Sequence, residues 1–75
     1  MNKNIHTVYN PESKRWENKI AGNSDPISTH KTKDLAENRG QDAAEDRAVE
    51  HIIHGKDGKI QERNSYGNDP FPPRG

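Results

Sequence analysis

Cysteine is absent from this 75-residue chain. That excludes a disulfide-stapled small domain and any zinc module built on thiolates. Apolar residues are scarce: only 25% of the chain is hydrophobic, and leucine, isoleucine, valine and phenylalanine together number ten. That share lies below the roughly one-fifth that flags a chain too poor in core formers to fold. No apolar run exceeds two residues, so a transmembrane helix and a secretory leader are not expected, and a cytoplasmic setting is. An excess of charge of one sign is missing as well, because 12 lysines and arginines balance 12 aspartates and glutamates. Self-repelling disorder is therefore disfavoured too. The length allows one small domain at most, and its core must be thin.

Local patterns nevertheless define an architecture. Ile5–Tyr9 has strand composition and stops at Asn10-Pro11, a turn signal. In Arg15–Ala21, Trp16, Asn18 and Ile20 fall on one face, a period of two that marks a half-buried strand and makes a hairpin with the first. Gly22–Pro26 breaks regular structure. Thr32 is placed to cap a helix running to about Arg47, whose small or apolar positions are Leu35, Ala36, Gly40, Ala43 and Ala44. Glycine inside a helix costs about 1 kcal/mol relative to alanine. Gly40 therefore implies either close approach to a sheet or a frayed helix. Val49–His54, the turn Gly55-Lys56-Asp57-Gly58 and Lys59–Arg63 read as a second hairpin. The expected fold is α+β, a β-β-α-β-β domain with one helix across an antiparallel or mixed sheet, spanning residues 1–64. Its expected core is Val8, Trp16, Ile20, Leu35, Ala36, Ala43, Val49, Ile53 and Ile60. Residues 65–75 form a Pro/Gly-rich tail, strapped back or partly disordered, with Tyr66 and Phe71 as candidate anchors that either cover the otherwise bare Ile52 face, within the chain or across a dimer interface, or form a short motif for a partner.

His6-Thr7-Val8, Trp16, Thr32-Lys33, the run from Ile52 through His54-Gly55-Lys56-Asp57-Gly58 to Ile60, and the tail from Ser65-Tyr66-Gly67 to Pro70-Phe71-Pro72-Pro73 together resemble a small bacterial family catalogued as domain of unknown function 2188. The resemblance spans nearly the whole chain. It implies a compact α+β domain in a cytoplasmic bacterial or phage setting, and no activity.

Chemistry-bearing patterns are few. His51 and His54 are three apart on a strand and point to opposite faces, so they do not share a metal ion; no metal and no cofactor is expected. Neither a Gly-x-Ser-x-Gly elbow nor a phosphate-cradling glycine loop is present, and an enzyme is not expected. Charge layout says more. Residues 34–50 hold six carboxylates against two arginines, a balance of −4, which leaves +4 on the remainder. Lys14, Arg15, Lys19, Lys56, Lys59 and Arg63 cluster on strands and hairpins as candidate partner contacts. The leading functional expectation is a non-enzymatic interaction module with a protein partner, or a second copy docked through the sheet face bearing Ile52. The alternative is a nucleic-acid-binding accessory protein using the basic strands and the Lys56–Lys59 hairpin, with Tyr9 or Tyr66 for stacking. No membrane association is expected.

Overall fold

A computed structural model describes residues 3–67. Strands β1 (Ile5–Asn10) and β2 (Arg15–Ile20) form an antiparallel hairpin in register from Ile5 opposite Ile20 to Asn10 opposite Arg15. Its turn is made by side chain and backbone together. Asn10 Oδ1 accepts from the Glu12 amide at 2.9 Å, and the Lys14 amide closes on the Asn10 carbonyl at 2.8 Å. After Gly22, which adopts φ +90°, strand β3 (Pro26–His30) returns beside β2.

Helix α1 (Lys33–Arg47) begins at Thr32, whose hydroxyl accepts from the Leu35 amide at 3.2 Å. It ends at Ala48 in the left-handed conformation, φ 56°, with the Val49 amide reaching back to the Ala44 carbonyl at 3.0 Å. The chain crosses the sheet to β4 (Glu50–His54), which lies parallel to β1 with Ile5, His6 and Thr7 opposite His51, Ile52 and Ile53. Strand β5 (Ile60–Ser65) closes the β4 hairpin, with a bulge between Ile53 and His54. The sheet is mixed, in the order β3-β2-β1-β4-β5, with the helix on one face. The α+β two-layer expectation holds, with one strand more than the expected β-β-α-β-β order. The break expected at Gly22–Pro26 ends where β3 begins, and Ile27–His30, to which the sequence pattern assigns no element, completes the extra strand; its single aliphatic and its proline suit an edge strand exposed to water.

Close packing comes from smallness. Ala36, Gly40 and Ala44 form the buried stripe of α1. A Cβ on Gly40 would lie 2.5 Å from His51 Nε2, 2.7 Å from Asn18 Oδ1 and 2.8 Å from Thr7 Oγ1. Gly40 thus marks close approach, and the helix is continuous through it. The buried apolar side chains are Ile5, Trp16, Ala36, Ala44, Ile52 and Ile53. Of the expected core, Trp16, Ala36 and Ile53 are buried, Val8, Ile20, Ala43 and Val49 are half-buried, and two members are exposed. Leu35, 54% exposed, sits one position off the stripe, and a helix this close to the sheet has room only for small residues there. Ile60, 49% exposed, lies on the edge strand, and the bulge pairs it with His54 instead of Ile53. Ile52, expected to need the tail or a second copy to cover it, is only 5% exposed. It is flanked in register by His6 and Arg63 on the neighbouring strands.

The sheet also runs past the expected boundary at residue 64. Ser65 belongs to β5, and the Tyr66 amide donates to the Val49 carbonyl at 3.3 Å.

Candidate functional site

The helix-facing side of the sheet is polar at its centre. Asn18 Nδ2 donates to the Ala36 carbonyl (3.0 Å) and to Ser28 Oγ (3.1 Å), which leaves Asn18 Oδ1 to accept the Thr7 hydroxyl at 2.6 Å. Having used its proton, Thr7 Oγ1 accepts from His51 Nε2–H, also at 2.6 Å. His30 Nε2 extends the chain to Ser28 Oγ at 3.0 Å. Thr7, Asn18 and His51 are all buried, and burial pushes the His51 imidazole below its ordinary range, against an opposing pull from Glu62. Each member satisfies the next, so this network orients α1 on the sheet under Gly40. Its Thr7, Asn18 and His51 members are shielded from solvent, while Ser28 and His30 at its outer end are half-buried.

The opposite face carries no helix. Residues on it are set by register: Lys19 lies opposite His6, His6 opposite Ile52, and Ile52 opposite Arg63. These four occupy adjacent strands, so Lys19 and Arg63 bracket a row roughly 14 Å across at about 4.8 Å per strand. Arg15 stands further along β2 on the same face, its Nε 3.4 Å from Thr29 Oγ1. The carboxylates on this face are Glu17 and Glu50. Glu17 is buried and held by Asn10 Nδ2 at 3.0 Å and by Lys19 Nζ at 3.8 Å.

At the centre of the row is a histidine pair. His6 Nδ1 and His54 Nε2 are 2.9 Å apart, and the rings stack with centroids 5.2 Å apart and an interplanar angle of 28°. His54 Nδ1–H donates to the Gly58 carbonyl at 3.2 Å. The neutral His54 Nε2 must then accept from His6 Nδ1–H, which leaves His6 Nε2 as the one ring nitrogen of the pair with a free lone pair. Burial, then His54, then Arg63 lower the affinity of His6 for a proton.

The structure gathers three of the six candidate cations, Arg15, Lys19 and Arg63, on one face, and leaves the other three elsewhere. Lys14 lies in the β1–β2 turn, with φ 58°. Lys56 sits 4.9 Å over the Tyr9 ring. Tyr9 itself lies on the helix side, packed 5.1 Å from the Trp16 ring, so neither belongs to the basic row. Lys59 is exposed in the β4–β5 turn. Tyr66 lies beside Val49, where burial and the carboxylates of Glu45 and Glu62 raise its phenol above the ordinary range. The carboxylates that act on its phenol stand on α1 and on the helix-facing side of β5, whereas Ile52 lies on the opposite face of the sheet. Phe71 lies outside the described residues.

His51 and His54 do occupy opposite faces. The partner missed by sequence reasoning is His6, 48 residues from His54; its only signal was its place on a strand, and the parallel β1–β4 pairing that joins the two is non-local. An open groove of about 470 Å³ between β3 and α1 is lined by Ile27, Arg39, Asp42, Ala43, Asp46 and Arg47. Its two arginines and two aspartates cancel, so it has no marked preference of charge. Among the described residues no group of three or more His, Asp or Glu side chains is gathered to hold a metal ion, and no helix is long and apolar enough to cross a membrane.

The model of a family described as "Uncharacterized protein conserved in bacteria (DUF2188)" aligns with residues 5–66. No curated protein and no solved structure matches.

Proposed function

The chain belongs to the uncharacterised bacterial family DUF2188, and within that family we propose that it acts as a non-enzymatic binding module whose partner is a nucleic-acid strand. The working surface is the helix-free sheet face. One observation carries this reading: the strand register sets Arg15, Lys19 and Arg63 on that face against Glu17 and Glu50, a balance of +1, while on α1 in the other layer Asp34, Glu37, Asp42, Glu45 and Asp46 outnumber Lys33, Arg39 and Arg47, a balance of −2. A polyanion approaching the molecule meets attraction on one side and repulsion on the other, which fixes its docking side.

Titration with single-stranded and duplex nucleic acid across a salt series tests it. Three phosphate contacts predict a slope of log affinity against log salt of about −2 for a single strand. Charge reversal at Arg15, Lys19 and Arg63 together should abolish binding, whereas Asp42→Asn with Asp46→Asn should not weaken it. A slope near zero rejects the reading.

Self-association is the second reading, and it moves from the face to the edge. Ile52 is already covered by its own chain, but β5 is an outer strand with Ile60 half exposed; a second copy pairing there would bury it. Sedimentation over a range of protein concentrations should then show mass rising with concentration. A constant monomer mass removes this reading.

A further inference from the structure

We infer that the His6–His54 pair, flanked by Lys19 and Arg63, is a phosphate-binding subsite that acquires its charge by taking up a single proton. This rests on the nucleic-acid reading and names the regulation of that same face.

The hydrogen-bond arithmetic comes first. In the neutral pair both Nδ1–H groups are committed, His6 to His54 Nε2 and His54 to the Gly58 carbonyl. One proton can enter at His6 Nε2 without disturbing either bond. The His6 Nδ1–H to His54 Nε2 contact then becomes charge-assisted and stronger. A second proton would have to enter at His54 Nε2, breaking that bond and placing two cations with ring centroids 5.2 Å apart. The pair therefore takes one proton and resists another.

Electrostatics decide what the charged pair would hold. The groups facing it are Lys19 and Glu17 from β2, with Arg15 further along, Glu50 from β4 and Arg63 from β5, while Lys59 stands in the turn beside Gly58. Glu17 is engaged by Asn10 and Lys19. Neighbouring Lys19 and Arg63 oppose a metal cation at these nitrogens and favour an anion. The face has three strand cations against two carboxylates, so one added proton doubles its net charge from +1 to +2. The burial and the Arg63 charge that hold His6 neutral are the costs a bound phosphate offsets. Proton and phosphate must then strengthen each other's binding reciprocally.

The test is anisotropy of a labelled single-stranded oligothymidylate with the full chain, as salt series at about pH 8 and about pH 5.5, on either side of the ordinary histidine pKa. The salt slope of the wild-type protein should steepen by about 0.7 on acidification, the increment for one added phosphate contact on a single strand. H6Q and H54Q should each show the same slope at both pH values. H30Q, altered on the helix-facing side, should keep the steepening. A second measurement needs no variant: in imidazole NMR titrations, saturating oligothymidylate should raise the apparent pKa of His6, and inorganic phosphate should do so more weakly.

Salt-dependent binding at both pH values with equal slopes, or a His6 titration unmoved by the oligonucleotide, overturns the subsite and leaves the broader reading standing. An equal shift with inorganic phosphate alone, and no salt-dependent oligonucleotide binding at either pH, keeps the anion site and overturns its nucleic-acid occupant. No salt-dependent binding and no shift with either probe overturns both.

Discussion

Gly40 is where sequence cost and packing gain meet. Alanine there would relieve about 1 kcal/mol of helix propensity, and on an exposed helix the exchange would stabilise. Here the added methyl meets three polar atoms at 2.5–2.8 Å. Those atoms cannot swing aside, because Thr7, Asn18 and His51 hold one another by short hydrogen bonds beneath the helix. The helix must lift or the network must break. Gly40→Ala should therefore lower stability by about 1–3 kcal/mol net, the usual cost of overpacking, read as a shift in the urea midpoint at unchanged m-value. Thr7→Val on the same network should also destabilise, by about 1–3 kcal/mol, because it leaves Asn18 Oδ1 and His51 Nε2–H buried without partners. A neutral outcome for both would show that the helix does not rest on these atoms.

Elements were legible in proportion to how local their signals are. The β1–β2 and β4–β5 hairpins and the Thr32 cap follow from turn and capping chemistry within a few residues, and the structure has all three. Strand β3 was not legible, because Pro26-Ile27-Ser28-Thr29-His30 owes its conformation to the β2 edge and to nothing in its own pattern. The parallel β1–β4 pairing was hidden for the same reason, and with it the His6–His54 site. Strand alternation places Asn18 on the face of Trp16 and Ile20, but the network that joins Thr7, Asn18 and His51 at the centre of the sheet depends on the pairing of three separate strands and was not legible. At this scale both helix ends give predictions. Thr32→Ala removes the acceptor for the Leu35 amide and should cost about 1 kcal/mol. Ala48→Gly relieves a left-handed alanine at φ 56° and should stabilise by roughly 1 kcal/mol. The sites lie at opposite ends of α1, so the double variant should melt close to the wild type. Departure from additivity would mean that the helix does not form as an independent two-ended unit.

Across the whole molecule the layers differ in how they meet acid. The helix-side network keeps His51 neutral by burial, and the pair on the open face keeps His6 neutral by burial and neighbouring positive charge. In both cases the folded-state pKa lies below the unfolded value of about 6.5. Above that pH both states are neutral and these groups leave stability independent of pH. As pH falls below it, the unfolded chain binds protons that the native histidines refuse, so stability drops by up to about 1.4 kcal/mol per pH unit for each refused proton. Denaturant midpoints should thus be flat from about pH 8 to pH 7 and fall towards pH 5. His51→Gln should start from a lower midpoint and descend less steeply, since one refused proton has been removed. If phosphate occupies the open face, it should restore part of the acid loss by letting His6 charge in the folded state, while leaving the His51 share untouched. Wild type and H51Q should then gain equally from added phosphate at about pH 5.5, and H6Q, left with Lys19 and Arg63 alone, should gain less. A gain by H6Q equal to the wild type's would place the anion somewhere other than the histidine pair.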